Sequence, residues 1–494
     1  MTDTENGQER LGVEIPRRGV DRQTLLDRLR ALQAGDVRWR EHKVFGLVYK
    51  HSDAHTEFLK EAHGLYFSEN GLNPMAFKSL QQLEREVVRM CAALFHGGDG
   101  MAGCMTSGGT ESLLLTVLAY RNHARRTRPW VRRPEIVVPE SVHTAFIKAG
   151  ECFGVRIVKT PCGQDYAADV REMERRITAR TILLVGSAPC YPYGVLDPIA
   201  ELGDLAARRG LPLHVDACLG GFFLPWLGDL GRETPPFDFR VPGVTSLSAD
   251  IHKYGYAAKG ASLLLYRSPA VFADQVFADV DWCGGAYGGA TLAGTRPGGP
   301  IAAAWAALHA LGREGYVENA RTILEAAGRL IEGVRAVPGL CVLGNPVIGV
   351  VAVGATDPAV RMYAVADLLE ARGWHINRLQ KPESLQVILN AGHAAVIDPL
   401  LADLREAVGH VRAHPDAAFE GSAPMYGLIA NMPLRRVVRK NLVAIFTKMH
   451  TVGEPGPEEA GEEEQDPVAV PPAVLWLMRT RARIARLFAA RRGD

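Results

Sequence analysis

The sequence predicts an α/β fold: a mostly parallel sheet with helices on both faces, followed by a smaller mixed unit. The first observation is an alternation. Between about residues 100 and 270, short apolar runs rich in Val, Ile and Leu alternate with amphipathic stretches of helical period. The second is that these runs are continuously apolar, as strands buried on both faces must be, whereas a sheet with one wet face would alternate. The third is size: 494 residues, 47% of them hydrophobic, suffice for a large core and more than one structural unit.

In chain order, residues 1 to about 20 read as a polar arm, and helical period begins near Asp21 and recurs strongly from Ser79 to Leu94, which makes 1–95 an N-terminal arm and helical segment. The strand runs follow: EIVVP (135–139), VRIVK (155–159), TILLVGSA (181–188), LPLHVDA (211–217), TSLSAD (245–250) and ASLLLY (261–266). They define a large domain over 96–335, which closes with the Gly-rich stretch 284–299 and an Ala-rich helical region. A small C-terminal α+β domain over 336–450 has strand candidates at 348–354 and 385–390 and helices near 359–372 and 396–412. Residues 453–467 carry seven acidic residues among Gly and Pro, cannot bury a core, and read as a disordered linker within a 451–494 tail.

Composition excludes several function classes. Lys plus Arg (56) nearly cancel Asp plus Glu (55), so nothing in the balance points to a nucleic-acid partner. Eight cysteines occur without a Cys-x-x-Cys pair or a Cys/His cluster, which argues against a metal site or a disulfide framework and for a reducing compartment. The N-terminus is polar and no run of about eighteen apolar residues occurs, so the expectation is a soluble, cytoplasmic protein.

Three elements carry chemistry. MTSGGTES (105–112) runs straight into the helical LLLTVLAY. Two glycines and a Thr at a helix start offer unpaired backbone N–H groups and the positive end of the helix dipole, which suits a phosphate, though such a start also serves as a plain tight turn. HVDACLGG (214–221) places Asp216 at the carboxyl end of a buried strand, the edge where open α/β sheets bind ligands. A carboxylate there either caps the following turn or meets a cationic partner such as the pyridine nitrogen of pyridoxal 5′-phosphate (PLP). Cys218, two residues on, falls on the same side if the strand continues, where it packs either on a bound ring or in the core. SADIHKYGYAAKG (248–260) carries Lys253 between His252 and Tyr254. Burial beside another cation is expected to depress this lysine's pKa, as an imine-forming lysine requires.

Order and spacing decide among these alternatives. The stretches TSGGTES, GSAPCYPYGVLDPI, LPLHVDACLGGF, FDFRVPGVTSLSADIHKYGYAAKGASLLLY, LAGTRPGG and GREGYVE, in this order, resemble the group II PLP-dependent decarboxylases of the aspartate-aminotransferase fold (fold type I), and within them the sphingosine-1-phosphate lyases. The resemblance runs from about residue 40 to 450. It implies that Lys253 carries PLP as a Schiff base, that Asp216 faces the pyridine nitrogen, that His143 stacks on the ring, and that Gly108, Gly109 and Thr110 cradle the phosphate with His252 reaching it. It further implies a homodimer with shared active sites, in which the Gly294-Thr295-Arg296 stretch approaches the partner's cofactor. Lys259 matches a second lysine near the substrate, for phosphate binding or proton transfer, and Tyr287 a tyrosine that contributes a proton or hydrogen bond.

The implied reaction is retro-aldol cleavage of a phosphorylated sphingoid base to a long-chain aldehyde and phosphoethanolamine. An amino-acid decarboxylase of the same fold is the alternative, and a catalytically dead scaffold is disfavoured because Lys253, Asp216 and His143 are all retained. One departure bears on substrate: where the lyases read Asn-Pro-Leu-His-Pro, this chain reads Asn70-Gly71-Leu72-Asn73-Pro74, so an expected histidine is Asn73, which can donate a hydrogen bond but carries no charge. The tail 471–494, with Trp476, Phe488 and six arginines, reads either as a peripheral membrane contact or as a helix docked on its own dimer.

Overall fold

The computed structural model of the protein describes residues 15–73, 75–431 and 435–452. The acidic linker and basic tail expected within 453–494, and residues 1–14 of the arm, lie outside the described residues.

The central sheet has seven strands: β1 (Ala102–Thr106), β2 (Glu135–Pro139), β3 (Arg156–Thr160), β4 (Thr181–Ser187), β5 (Leu213–Asp216), β6 (Val244–Ala249) and β7 (Ser262–Tyr266), in the order β1-β7-β6-β5-β4-β2-β3. Every run expected to be a strand is one. Strand β1 has no apolar run to announce it. Its Gly103 lies so close to β7 that a Cβ would meet the Leu264 carbonyl oxygen at 2.5 Å, so small residues are dictated there. Strands β2 to β6 pair in parallel, while β7 runs against both β6 and β1. Strand β1 therefore points the same way as β6, and the carboxyl ends of β1, β4, β5 and β6 open on one edge.

Both faces are covered, which is why the strands read as continuous apolar runs. On one face Ile136, Val138, Leu264 and Tyr266 pack with Leu113, Leu115 and Phe146 of the helices Gly109–Thr127 and Ala145–Phe153. On the other, Val137, Val215, Leu247, Leu263 and Leu265 join Leu202 and Leu205 of the helix Ile199–Arg209 and Val87 of the helix Lys78–Leu94. Each such fully buried side chain contributes roughly 1.5–3 kcal/mol, and this second core continues into the C-terminal unit.

A short hairpin, β8 (Phe277–Asp279) with β9 (Tyr287–Gly289), precedes the long helix Gly298–Arg335, which Gly312 breaks at φ 55°. The C-terminal unit is a four-stranded antiparallel sheet of β10 (Leu340–Val342), β11 (Val350–Ala355), β12 (Asn377–Gln380) and β13 (Glu383–Ile388), ordered β10-β11-β13-β12, with helices Met362–Glu370 and Ile397–Ala413 beside it.

Candidate active site

A cavity of about 460 Å³ opens at the carboxyl edge of the sheet. It gathers Gly108, Gly109 and Thr110 from the turn after β1, Asp216 and Cys218 from the end of β5, His252, Lys253 and Lys259 from the loop after β6, and His143 from the loop after β2. Chain order separates these residues, and parallel strands with a common carboxyl edge reunite them.

The glycine turn is built by its neighbours. Thr106 Oγ1 and Ser112 Oγ lie 2.7 Å apart, Ser112 Oγ is 2.9 Å from Ser262 Oγ, and these contacts pin the helix start to β1 and β7. Glu111 accepts from the Ser107 backbone N–H and hydroxyl, both at 2.7 Å, which closes the turn. Behind the turn, a Cβ on Gly109 would meet the two Asp250 carboxylate oxygens at 2.8 and 2.9 Å and Cys218 Sγ at 3.0 Å. A Cβ on Gly108 would instead point toward free space, its nearest neighbour His252 Cε1 at 3.7 Å.

Asp216 Oδ1 accepts from the Cys218 backbone N–H at 3.1 Å, which fixes the carboxylate at the cavity wall. Cys218 Sγ lies 3.4 Å from Ser248 Oγ, and burial holds its thiol well above the usual range, so it behaves as an apolar wall group rather than a nucleophile. Beneath them, His214 is buried between Ser246 Oγ (2.8 Å) and Ser248 Oγ (3.2 Å), and desolvation pushes its pKa down to about 4. His143 Nδ1 accepts from the Ala145 backbone N–H at 3.2 Å, which makes Nδ1 the unprotonated ring nitrogen. Its ring meets Tyr191 edge-on, with centroids 6.1 Å apart.

Lys253 has a different neighbour from the one its sequence suggests. Its Nζ donates to Asp250 Oδ2 at 2.9 Å, inside a turn that brings residues three apart together. Desolvation lowers the lysine's pKa, but the Asp250 carboxylate outweighs it and the net shift is upward. The expectation that an adjacent cation depresses this lysine is thus corrected: in the structure an anion dominates. Lys259 does follow that expectation. Burial first, and the Lys253 charge second, lower its pKa, and its ammonium lies 5.4 Å from the centre of the Tyr49 ring. His252 Nδ1 faces the Ala261 carbonyl at 2.7 Å, so that nitrogen carries the proton, while Nε2 lies 3.8 Å from Asp250 Oδ2.

These residues fit PLP. The Gly108–Gly109 turn leaves backbone N–H groups at a helix start with room in front of them, a carboxylate and a lysine amine stand inside the same cavity, and the buried Asp250 Oδ1 has no hydrogen-bond partner among the described residues. An orphaned buried oxygen costs roughly 1–3 kcal/mol, which marks the wall as built for more than packing.

Comparison with known proteins agrees with this chemistry. Residues 8–354 match the pyridoxal-dependent decarboxylase conserved domain. The chain is 43% identical over 441 residues to the sphingosine-1-phosphate lyase of Oryza sativa, a match covering 88% of this chain and 81% of that protein. The solved sphingosine-1-phosphate lyase of Burkholderia pseudomallei superposes with a TM-score of 0.78 at 40% identity, covering 85% of this chain and 97% of that one. The chain belongs to the sphingosine-1-phosphate lyase family. Glutamate decarboxylase of Lactobacillus brevis, at 18% identity and a TM-score of 0.71 over 82% of this chain and 96% of that one, shares the fold. As a member of the lyase family within the pyridoxal-dependent decarboxylases, the protein is a PLP-dependent lyase by fold and cofactor.

Set beside the family pattern, two site residues stand apart from the cavity. Tyr287 lies on β9 with its hydroxyl beside Gly294, and Thr295 Oγ1 accepts from Asn70 Nδ2 at 3.4 Å. Neither lines the cavity of its own chain. Asn73 is exposed, and its Oδ1 accepts from the Met75 and Ala76 backbone N–H groups at 3.0 and 3.3 Å, so its carbonyl is engaged in the local turn. Its neighbour Asn70 holds the 294–297 segment: Asn70 Oδ1 accepts from Arg296 N, and Arg296 forms a two-pronged ion pair with Glu84 at 2.6 and 2.9 Å. Sequence reasoning overlooked Asp250, Tyr191 and Ser107, all of which line the cavity. The signal for Asp250 was its place three residues before Lys253, at the point where β6 ends.

Proposed function

We propose that this protein cleaves a phosphorylated sphingoid base of the sphingosine-1-phosphate type to a long-chain aldehyde and phosphoethanolamine, and that Lys253 holds the cofactor. The observation that carries the reading is one cavity in which a glycine cradle, Asp216, His143, Lys253 and the down-shifted Lys259 converge, in a chain of the lyase family. When bound, PLP supplies an electron sink for the pair left at the amine-bearing carbon after the carbon–carbon bond breaks. The chain's own residues do the rest. Gly108, Gly109 and Thr110 would hold the phosphate by backbone N–H groups, with His252 beside them. Asp216 would hold a proton at the pyridine nitrogen, and His143, its Nδ1 accepting from the Ala145 N–H, would stand beside the ring. Lys259 Nζ, whose pKa burial and the Lys253 charge lower, takes the substrate's hydroxyl proton as the carbonyl forms and returns a proton to the amine-bearing carbon, which completes phosphoethanolamine.

A homodimer with shared sites belongs to the same reading. The helix Arg22–Gln33 buries none of its residues and exposes Leu25, Leu26, Leu29 and Leu32, and the β8–β9 region exposes Phe277, Val280 and Trp282. Such unpartnered apolar faces suit a second copy, which would bring its own Tyr287 and Thr295 toward this cavity. Peripheral membrane contact through the tail 471–494, in a reducing cytoplasmic compartment, completes the proposal.

The test is mass-spectrometric product analysis of PLP-loaded protein given sphinganine-1-phosphate, with unphosphorylated sphinganine and a panel of amino acids in parallel. Fatty aldehyde with phosphoethanolamine, absent in Lys253→Ala, supports the reading. Carbon dioxide and an amine from an amino acid, with the sphingoid phosphate untouched, would replace it by a decarboxylase.

A further inference from the structure

The last described helix, Arg435–Met449 (RRVVRKNLVAIFTKM), sits outside the catalytic machinery and has an unusual composition. It carries Arg435, Arg436, Arg439, Lys440 and Lys448 and no acidic residue, and it buries none of its side chains. Val438 and Ile445, seven apart, are its partly covered positions. Arg439 reaches Glu151 of the helix Ala145–Phe153 at 3.1 Å, so the helix is tethered to the fold on that side. Leu442, Phe446 and Met449 follow at helical spacing along one exposed face, with Val443 at its border, and these four are 50% to 70% exposed. Leaving four large apolar side chains in water beside a row of cations is costly unless something covers them.

We infer that the helix Arg435–Met449 is a membrane-docking surface, which lies flat on an anionic lipid bilayer with Leu442, Phe446 and Met449 turned into the headgroup–acyl boundary. Charge and shape select that occupant. A wholly cationic helix with an apolar stripe is the signature of an interfacial helix, attracted by anionic headgroups and held by its buried apolar area. No described helix is long and apolar enough to cross a bilayer, so this contact lies on the surface. The inference deepens the lipid-substrate reading, because a surface-bound enzyme meets a long-chain substrate where that substrate resides. It uses residues separate from the tail 471–494.

The experiment is flotation of the full-length holoenzyme with phosphatidylcholine vesicles, with and without phosphatidylglycerol, comparing wild type with Arg436→Gln/Lys440→Gln and with Leu442→Asp and Phe446→Asp. Wild type is expected to float with the anionic vesicles and to be released by high salt. Each cation removed is worth roughly five-fold in partitioning, so the double variant should lose roughly 25-fold, and the aspartate variants should float markedly less than wild type, with the tail 471–494 intact in all of them. Melting temperature and solution mass should match wild type, since the substituted side chains bury nothing. Flotation that the four substitutions leave unchanged would overturn the inference. So would a lower assembly mass in Phe446→Asp, which would make this face a contact between copies. Turnover separates the two readings: with the lyase reading intact, the variants should lose activity on vesicle-embedded substrate and keep it on detergent-dispersed substrate. A wild type inactive on both but still floating would remove the lyase reading alone.

Discussion

Adding one methyl group at either of two adjacent glycines should have opposite consequences. At Gly109 the new Cβ would press on the Asp250 oxygens at 2.8 and 2.9 Å and on Cys218 Sγ at 3.0 Å. Asp250 is buried and tied to Lys253, so it cannot swing away cheaply. Forcing such a carboxylate back by about half an ångström belongs to the overpacking class, at about 1–3 kcal/mol of stability. At Gly108 the nearest atom is His252 Cε1 at 3.7 Å, an ordinary contact, and the backbone is extended with φ 160°, which alanine adopts. Gly108→Ala should therefore leave the PLP-free protein within about 1 kcal/mol of wild type, a small capping loss being offset by a less flexible unfolded chain. Because Gly108 lines the cavity beside Gly109 and Thr110, its methyl would enter that space. If a phosphate belongs there, at least one charge-assisted hydrogen bond is lost, about 1.5–3 kcal/mol, or roughly 10- to 150-fold in the Kd for PLP. Urea titration of the PLP-free variants and spectroscopic titration with PLP read the two quantities separately. An unchanged PLP Kd in Gly108→Ala would refute the cradle, and equal destabilisation by the two alanines would refute the geometry behind it.

Lys253→Ala should abolish both the visible absorbance band of lysine-bound PLP and borohydride fixation of the cofactor at this peptide, and a variant that retains either places the attachment elsewhere. Lys259→Gln should keep that band and lower kcat by about 10²–10⁴ as a lost proton-transfer group; a raised KM with unchanged kcat would instead make Lys259 a phosphate ligand. The buried histidines predict acid lability. Desolvation lowers the folded pKa values of His214 and His393 to about 4 from 6.5, so as pH falls the unfolded chain takes up protons first. Stability of the PLP-free protein should be full above pH 6.5 and decline toward pH 4, and His214→Gln should flatten that decline in pH-resolved thermal melts.

The runs that became β2 to β7 were legible because two-sided burial leaves a continuous apolar string that one-dimensional reading detects. Strand β1 was not, since its Gly103 answers to the closeness of β7 rather than to burial of a side chain. The cavity residues from the glycine turn, β5 and the lysine loop were likewise legible, because each stands where a strand ends on the common edge. The sign of Lys253's electrostatics was not. It depends on a turn that folds Asp250 back on the lysine, and a sequence shows that both residues are present without showing which neighbour wins. Tyr287 and Thr295 illustrate a different limit: motif order set both among the site residues, yet neither lines the cavity of its own chain, because order along a chain does not fix how far a loop stands from the sheet edge.

The shared edge of β1 and β6 has a consequence for how the protein persists in a cell. Gly108 follows β1 and Lys253 follows β6, strands separated in the sheet only by β7 but far apart along the chain. A ligand gripped at its phosphate by one segment and at its other end by the other works as a removable cross-link. By mass action, free PLP at 100 times its Kd would add about 2.7 kcal/mol to the folded state. Vitamin supply would then set not only how many copies are active but how many escape proteolysis, and cofactor starvation would be read out as protein turnover.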